Sequence, residues 1–430
     1  MKLPGKPRTM IPKGVATFLP EGTSRRREIE RKILSLFSRW GYQEVITPIF
    51  EYLDVFSLGV GEELLNRAYK FVDRATGRMM VLRPDVTPQI ARIAATLLND
   101  QPLPIRLCYS ANVFRHEEEH AGREREIHQI GGELIGPSHA EADAETISLA
   151  IEILHKLELK SFKIALGQMA FTRGILQPFE SSPAAFKRIL GAVAKKDASL
   201  LEALLKEEKV GPKTRKQVLS LLDLFGGEEV FAAAKPLAVS PACKAGLRRL
   251  REVYEILKQA GHQEFLLIDL GEVRGFDYYT GTIFEIFAEG AGSELGGGGR
   301  YDHLLEKFGA PSSSTGFALH LERIQWALEQ VAGSGRDYSS ADFLVLHTVE
   351  GASEAMSLSH QLRDAGYRVI RRNGFHGAVE SYLSEARKQK VVKILLLTGG
   401  RDKGVRSVDV RTGRQESQSR SDFLEWLKSS

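Results

Sequence analysis

Residues 271–285 place several chemically active side chains within a short stretch of the chain. Arg274 offers a planar guanidinium group that suits a carboxylate, while Tyr278 and Tyr279 offer hydroxyl groups and flat rings. The segment has the pattern of a strand that enters a buried sheet. Adjacent strand residues point to opposite faces, so we expect at most one of the two tyrosines to line a pocket directly. Together these groups favour a small zwitterionic ligand with an aromatic or heteroaromatic side chain, such as an amino acid.

The composition excludes several classes of protein. At 430 residues the chain is too long for one compact core, so two or three domains are expected. The net charge of +4 does not by itself indicate a nucleic-acid partner, and the two cysteines, Cys108 and Cys243, lack metal-ligand spacing. Residues 1–14 show no signal peptide, and no apolar run reaches membrane-spanning length. These features predict a cytoplasmic protein that has no membrane partner and needs no metal or other cofactor.

The hydrophobic pattern indicates the elements that must position these groups. Thr23 and Ser24 are candidate N-caps for a helix that should stop at Gly41. A second amphipathic helix is expected at residues 141–157. The strands expected in the same part of the chain lie at residues 44–49, 79–83, 105–114 and 127–135.

Changes in this pattern along the chain predict the domains. Residues 171–261 are rich in Leu, Ala, Lys and Glu without strand signals, which is typical of a helical insertion. Residues 296–299 are all glycine and are predicted to form a turn. After a polar linker at 333–340, strands alternate with helices, which indicates a small α/β unit with a largely parallel sheet. The predicted domains are a core of residues 1–170 and 262–332, a helical insertion at 171–261 and a C-terminal α/β domain at 341–430.

Four separated segments resemble the class II aminoacyl-tRNA synthetases. Residues 41–48, 113–129 and 316–323 resemble the three motifs that define that class, in the expected order. Residues 274–279, Arg-Gly-Phe-Asp-Tyr-Tyr, resemble a signature of histidyl-tRNA synthetase in particular. The resemblance covers nearly the whole chain. It implies an α+β fold, with an antiparallel sheet flanked by helices, a helical insertion and a C-terminal α/β domain like an anticodon-binding domain.

Carried onto this chain residue by residue, the resemblance implies a binding site for histidine. The residues that it assigns to histidine are Asp85, Thr87, Gln129, Glu133, Arg274, Tyr278 and Tyr279. The first three would hold the α-amino group, and Arg274 would face the carboxylate. Glu133 and Tyr279 would meet the imidazole nitrogens, with Tyr278 close by, which would distinguish imidazole from an apolar side chain. The alternative for Glu133 is an ion pair with a neighbouring arginine.

This family has two main branches: the ligase, and a paralogue that serves as the regulatory subunit of ATP phosphoribosyltransferase in histidine biosynthesis. One departure from the ligase pattern lies in the second motif, where glutamates replace Arg, Pro, Tyr and Gln. These glutamates are Glu118, Glu119, Glu124 and Glu126. Because carboxylates repel phosphate, they disfavour ATP and tRNA at this loop. The alternative is that they face solvent or pair with Arg123 and Arg125.

Other positions give a mixed signal about the nucleotide site. His320 stands where the ligase has a glycine beside the adenine ring, so its imidazole would fill that space. The run Asp85-Val86-Thr87 resembles the regulatory branch. The residues that match a vestigial or alternative ATP site are Arg115, Glu117 and Arg323. For the two arginines, the alternative role is a buried ion pair with Glu117 or Glu322.

The departures favour the regulatory branch over the ligase. That branch implies a non-catalytic subunit that binds histidine for feedback control and is required by the short-form catalytic subunit of ATP phosphoribosyltransferase. It also implies a homodimer within a hetero-octamer. Two alternatives stay open, an orphaned synthetase paralogue that senses histidine and an active histidine–tRNA ligase. Under the ligase alternative, the candidate tRNA contacts are Arg371, Arg372, Arg401, Lys403 and Arg406.

Overall fold

The computed structural model describes residues 11–116, 124–273, 278–332, 341–376, 378–399 and 404–429. The chain divides into two compact units, residues 1–333 and residues 334–430. The predicted insertion at residues 171–261 lies within the first unit. Its treatment as a separate domain therefore stays a prediction.

The strands of the first unit form a nine-stranded sheet, in the order β1-β5-β6-β12-β11-β10-β7-β9-β8, and a three-stranded sheet, β2-β4-β3. Its strands are β1 (Gln43–Glu44), β2 (Phe50–Tyr52), β3 (Lys70–Val72), β4 (Met79–Leu82), β5 (Ile105–Phe114), β6 (Glu126–Gly136), β7 (Phe162–Gln168), β8 (Phe225–Gly226), β9 (Leu266–Asp269), β10 (Thr282–Ala288), β11 (Gly296–Arg300) and β12 (Ser313–His320). The pairs β1–β5 and β7–β9 are parallel. The five neighbouring pairs from β5 to β7 in the strand order, β5–β6, β6–β12, β12–β11, β11–β10 and β10–β7, are antiparallel. The predicted α+β class is confirmed, although the large sheet is mixed rather than wholly antiparallel.

Helices flank this sheet. The helices of the first unit are α1 (Pro20–Arg39), α2 (Leu53–Phe56), α3 (Glu62–Asn66), α4 (Thr87–Thr96), α5 (Ala140–Lys156), α6 (Met169–Leu176), α7 (Pro183–Ala194), α8 (Ala198–Glu207), α9 (Pro212–Ser220), α10 (Glu229–Ala234), α11 (Pro241–Gln259) and α12 (Leu321–Ala332). Residues 171–261 are mainly helical, as predicted, apart from the short strand β8. Helix α1 begins at Pro20, before the expected caps, because proline is preset for the first helical turn. In the described ranges, no helix is both long and apolar enough to cross a membrane.

Two hydrophobic clusters occupy opposite faces of the large sheet. Consecutive residues of β5 show the division, since Cys108 belongs to the cluster that contains α1, α5 and α11, whereas Leu107 and Tyr109 belong to the other. The second cluster is smaller and contains helix α4 with buried tyrosines, among them Tyr301. This second face carries the candidate site.

Residues Gly296–Arg300 form strand β11 in the interior of the sheet, so the predicted glycine turn is wrong. The glycines allow neighbouring groups to approach closely. A Cβ atom on Gly298 would lie 2.0 Å from the carbonyl oxygen of Gly316 in β12. A Cβ atom on Gly132 in β6 would lie 2.3 Å from the ring of Phe37 in α1. The glycines therefore serve close packing between strands and between sheet and helix.

The second unit is a small α/β structure with a five-stranded sheet in the order β14-β13-β15-β16-β17. Its elements are β13 (Ala341–His347), α13 (Ala352–Asp364), β14 (Val369–Asn373), α14 (Glu380–Lys388), β15 (Val391–Leu397), β16 (Gly404–Asp409), β17 (Gln415–Ser419) and α15 (Arg420–Ser429). Strands β14, β13 and β15 are parallel, as predicted. The antiparallel pair β16–β17 was not predicted, because its polar residues give no hydrophobic alternation.

Candidate functional site

A cavity of about 540 Å³ opens on the face of the sheet that carries the smaller hydrophobic cluster. Alternating residues of two neighbouring strands line it, because side chains two positions apart share a face. Strand β6 contributes Gln129 and Glu133, and strand β12 contributes Gly316, Ala318 and His320. The antiparallel register pairs Glu133 with Gly316 and Gln129 with His320. The two strands therefore build one continuous wall of the cavity.

The Glu133 carboxyl group is the most buried acidic group in this wall, with 1% of the residue exposed. It accepts hydrogen bonds from the Thr87 hydroxyl at 2.7 Å and from the Tyr301 hydroxyl at 2.5 Å. Burial raises the pKa of Glu133 to about 8, although both hydrogen bonds act in the opposite direction. A Cβ atom on Gly316 would lie 1.7 Å from Oε2 of Glu133, so only glycine leaves room for the carboxyl group.

The tyrosine pair lies before a strand and not within one, although the sequence pattern predicts a strand there. Strand β10 begins only at Thr282, and both Tyr278 and Tyr279 precede it and line the cavity. The expectation that at most one of them would do so is wrong, because strand alternation does not apply to a turn. The Tyr278 hydroxyl donates to Oδ2 of Asp85 at 2.8 Å, and the two tyrosine rings lie 4.8 Å apart.

Gln129 presents a buried acceptor to the cavity. Only 2% of the residue is exposed, and no described residue gives its Oε1 atom a hydrogen bond. A buried amide oxygen that accepts no hydrogen bond lowers the stability of the folded protein by about 1–3 kcal/mol. A ligand ammonium group that donates to it would relieve that cost. Asp85, which is 3% exposed, offers a carboxylate to the same cavity.

The structure thus brings six of the residues assigned to histidine around one cavity: Asp85, Thr87, Gln129, Glu133, Tyr278 and Tyr279. Arg274, which was expected to face the ligand carboxylate, lies outside the described residues. So do Glu117, Glu118 and Glu119 of the second motif. Glu133 receives hydroxyl donors here, and the arginine partner considered as its alternative is not among its described contacts.

Arg323, which the sequence resemblance assigns to ATP, lines the cavity and contacts carboxylates. Its Nη1 atom donates to the carbonyl oxygen of Glu294 at 2.8 Å and to Oε1 of the same residue at 2.6 Å. Its Nε atom lies 3.7 Å from Oε2 of Glu124. The expected alternative partner, Glu322, instead pairs with Arg26 at 2.6 Å. The Arg323 charge is therefore largely compensated by the protein.

Arg115 is held by a backbone carbonyl group next to Asp85 in the cavity wall. Its Nε atom donates to the carbonyl oxygen of Pro84 at 2.8 Å, and its Nη2 atom lies 4.0 Å from Oδ1 of Asp85. His320 is 4% exposed and lines the same cavity, where the resemblance expected it to narrow the adenine position. Both residues line the cavity, whereas their roles toward a nucleotide stay predictions.

The cavity lining is more acidic than basic. Among the described residues, its acidic members are Glu63, Asp85, Glu124, Glu133, Glu285 and Glu294, and its basic members are Arg67, Arg115 and Arg323. Burial is the main cause that raises the pKa of Glu124; the charge of Glu322 acts in the same direction, and Arg323 and Arg26 act against both. A triphosphate would therefore be repelled by the negative charge of the cavity lining. No three His, Cys, Asp or Glu side chains of the described ranges are grouped so that they could hold a metal ion.

The cavity residues that sequence reasoning missed include Tyr301, Glu285 and Glu294. Tyr301 was detectable in principle, because it lies only two residues after the glycine run. The misassignment of that run as a turn concealed its proximity to Glu133. Glu294 belongs to a loop without regular pattern, and its contact with Arg323 depends on tertiary structure.

Comparison with known proteins agrees with this architecture. A family model described as histidyl-tRNA synthetase matches residues 14–324. The structure of an ATP phosphoribosyltransferase regulatory subunit/histidyl-tRNA synthetase from Bacillus halodurans is 28% identical, with a TM-score of 0.79 over 91% of this chain and 99% of that chain. Histidyl-tRNA synthetase from Nostoc sp. PCC 7120 is 22% identical, with a TM-score of 0.80 over 99% of this chain and 100% of that chain, and shows the shared fold alone. The fold and the cavity thus define a protein of the histidyl-tRNA synthetase class.

Curated relatives narrow this class to one branch. An ATP phosphoribosyltransferase regulatory subunit from Geobacter metallireducens is 38% identical over 90% of this chain and 89% of the relative. A protein of the same name from Moorella thermoacetica is 44% identical over 75% of this chain and 82% of the relative. The chain belongs to the family of ATP phosphoribosyltransferase regulatory subunits, which share the histidyl-tRNA synthetase fold.

Proposed function

We propose that this chain is a non-catalytic regulatory subunit of ATP phosphoribosyltransferase and that its cavity binds free histidine. The observation that carries the proposal is the contrast between the two ends of the cavity. At one end Glu133, Asp85 and Gln129 present buried polar groups that suit an amino acid. At the other end Arg323 forms an ion pair with Glu294, so the positive charge that would bind phosphate is compensated by this carboxylate.

Histidine fits the polar groups of the cavity in one orientation. Its ammonium group donates to Asp85, Gln129 and Thr87. Its ring lies between Glu133 and Tyr279, with Tyr278 beside it. Because the pKa of Glu133 is about 8, its carboxyl group is mostly protonated at neutral pH and donates to a ring nitrogen.

The same buried groups give the site its selectivity. An analogue without ring nitrogens leaves the Glu133 carboxyl group without its ligand partner, which disfavours binding by about 1–3 kcal/mol. This corresponds to a loss of affinity of about fivefold to 150-fold. Arg274 is proposed for the histidine carboxylate on the sequence resemblance alone.

The names of the relatives imply a catalytic phosphoribosyltransferase partner. We further propose that this partner is the short-form catalytic subunit, which requires the regulatory chain for activity in the cytoplasm. The proposed assembly is a hetero-octamer built on dimers of each subunit. Histidine inhibits it by binding more tightly to an inactive arrangement than to an active one, since a ligand shifts an equilibrium only through differential affinity.

The test combines binding with two activity assays. Purified chain is titrated with histidine and with phenylalanine by calorimetry, and we expect heat only from histidine. The chain is then incubated with histidine, ATP and labelled pyrophosphate, where we expect no exchange of label into ATP. Finally, addition of the chain to a short-form catalytic subunit is expected to restore phosphoribosyltransferase activity, and histidine to reduce it.

The variant Glu133→Leu, whose side chain has no hydrogen-bonding group, should weaken histidine binding, whereas Glu207→Leu, a change on the exposed surface of α8, should leave it unchanged. Robust histidine-dependent exchange of pyrophosphate would instead identify an active histidine–tRNA ligase. Failure to bind histidine would refute the proposed ligand but leave the family assignment intact.

A further inference from the structure

The segment that follows strand β9 forms part of the cavity wall. Strand β9 ends at Asp269, and Val273, four residues later, lines the cavity. Val273 also packs against both hydrophobic clusters of the sheet. The position of residues 269–273, here called the wall segment, therefore determines the shape of the cavity on this side.

A lysine from the helical insertion holds the first residue of the wall segment. Lys196 lies just after helix α7, and its Nζ atom donates to Oδ1 and Oδ2 of Asp269 at 2.5 and 2.7 Å. The same Oδ1 atom accepts the backbone N–H of Gly271 at 3.0 Å. Asp269 is only 5% exposed, so its carboxylate depends on these donors for compensation of its charge.

The wall segment also lies directly against the insertion. A Cβ atom on Gly271 would lie 2.7 Å from the carbonyl oxygen of Leu221 and 3.1 Å from Nζ of Lys196. The Thr172 hydroxyl donates to the carbonyl oxygen of Leu270 at 2.8 Å. These contacts leave the segment little freedom to move independently of the insertion.

The backbone at Lys196 adopts a conformation that it shares with Glu158, Lys209 and Lys390, which also follow helices. Its φ angle is +53°, in the left-handed region that favours glycine after a helix. Lysine adopts this conformation only at an energetic cost. The ion pair with Asp269 is the interaction that a glycine at this position would lose.

We propose that Lys196 is a positioning residue for the cavity, acting through Asp269 and the Gly271 amide on the wall segment. The proposal rests on the proposed histidine site for its effect on affinity. It assigns the helical insertion a role in ligand binding, although Lys196 itself does not line the cavity. The contact between Lys196 of the insertion and Asp269 thereby affects the affinity of the cavity for histidine.

The first test measures affinity and stability of the full chain together. Lys196→Met should weaken histidine binding about tenfold, whereas Lys196→Arg should keep it within about twofold, because arginine restores the charge. Lys196→Gly removes the ammonium but relieves the backbone, so it should bind as weakly as Lys196→Met with a smaller loss of melting temperature. The control is Lys195→Met at the exposed neighbouring position. Unchanged affinity with a lowered melting temperature in the Met and Gly variants would assign Lys196 a merely structural role.

The second test needs no ligand. Amide hydrogen exchange of residues 270–273 should become about tenfold faster in Lys196→Met than in the wild type, and it should recover in Lys196→Arg. Unchanged exchange overturns the proposal whatever the titration gives. If the wild type binds no histidine, the proposed function fails, and the exchange rates still decide whether Lys196 positions the wall segment.

Discussion

The buried carboxyl group of Glu133 should make the stability of this protein depend on pH in a specific direction. Its pKa is about 8 in the folded chain, against an ordinary value of 4.5. The folded state therefore binds this proton more tightly than the unfolded state does. The stabilisation from the bound proton is complete below about pH 4.5 and is lost as the pH rises through about 8.

The size of the effect follows from the pKa difference. Between about pH 6 and about pH 7.5 the unfolded state holds almost no proton on this residue, while the folded state holds most of one. Each pH unit in this interval lowers the free energy of unfolding by about 1.4 kcal/mol, so the total loss is about 2 kcal/mol. Glu133→Gln removes the titration and keeps groups that can pair with Thr87 and Tyr301.

The assay is urea unfolding of the wild type and of Glu133→Gln, without histidine, at several pH values in this interval. We expect the variant to gain about 2 kcal/mol relative to the wild type between the two ends. Asp143 and Glu124, whose pKa values burial also raises, are present in both proteins and cancel in the difference.

The control is Glu207→Gln. The pKa of Glu207 is lowered by its hydrogen bond with Arg188, so this carboxylate stays ionised throughout the interval and the difference should be independent of pH. A stability difference between wild type and Glu133→Gln that does not change with pH would refute the argument that Glu133 is protonated in the cavity.

Three further changes test other parts of the structure. Tyr301→Phe removes a donor to Glu133 and should weaken histidine binding about fivefold to tenfold by calorimetry. Gly298→Ala should lower the melting temperature sharply, because the new Cβ meets the backbone of β12, whereas Gly191→Ala in α7, where the Cβ meets open space, should not. Arg300→Met leaves Asp143 buried without its ion pair and should lower the free energy of unfolding by about 3–5 kcal/mol in urea, far more than Arg188→Met at an exposed pair.

The sequence predicted the elements whose pattern is set by burial of one face. Strand β5 and helix α5 have the expected positions because their apolar residues recur at strand and helix spacing. Strand β11 was missed because four consecutive glycines carry no side-chain pattern and are typical of turns. Only the neighbouring strands, which leave no room for a Cβ atom, give the run its extended conformation.

The candidate site was predictable where a motif covered it and not elsewhere. Asp85 and Glu133 were assigned from the family resemblance, and the structure places both at the cavity. The hydrogen bond from Tyr301 to Glu133 joins residues 168 positions apart, and no local pattern could indicate it. The same holds for the pair of Arg323 with Glu294, since its acidic partner lies in an irregular loop.

Part of the cavity wall is made of main chain, since Gly297 and Gly316 line the cavity without a Cβ atom. Main-chain atoms are common to every residue type, and any substitution at these glycines adds bulk. During divergence of such a protein, substitutions are therefore expected among the other residues that line the cavity, where one side chain can replace another. A protein of this fold can therefore lose its affinity for one ligand and keep its affinity for another while the sheet stays unchanged.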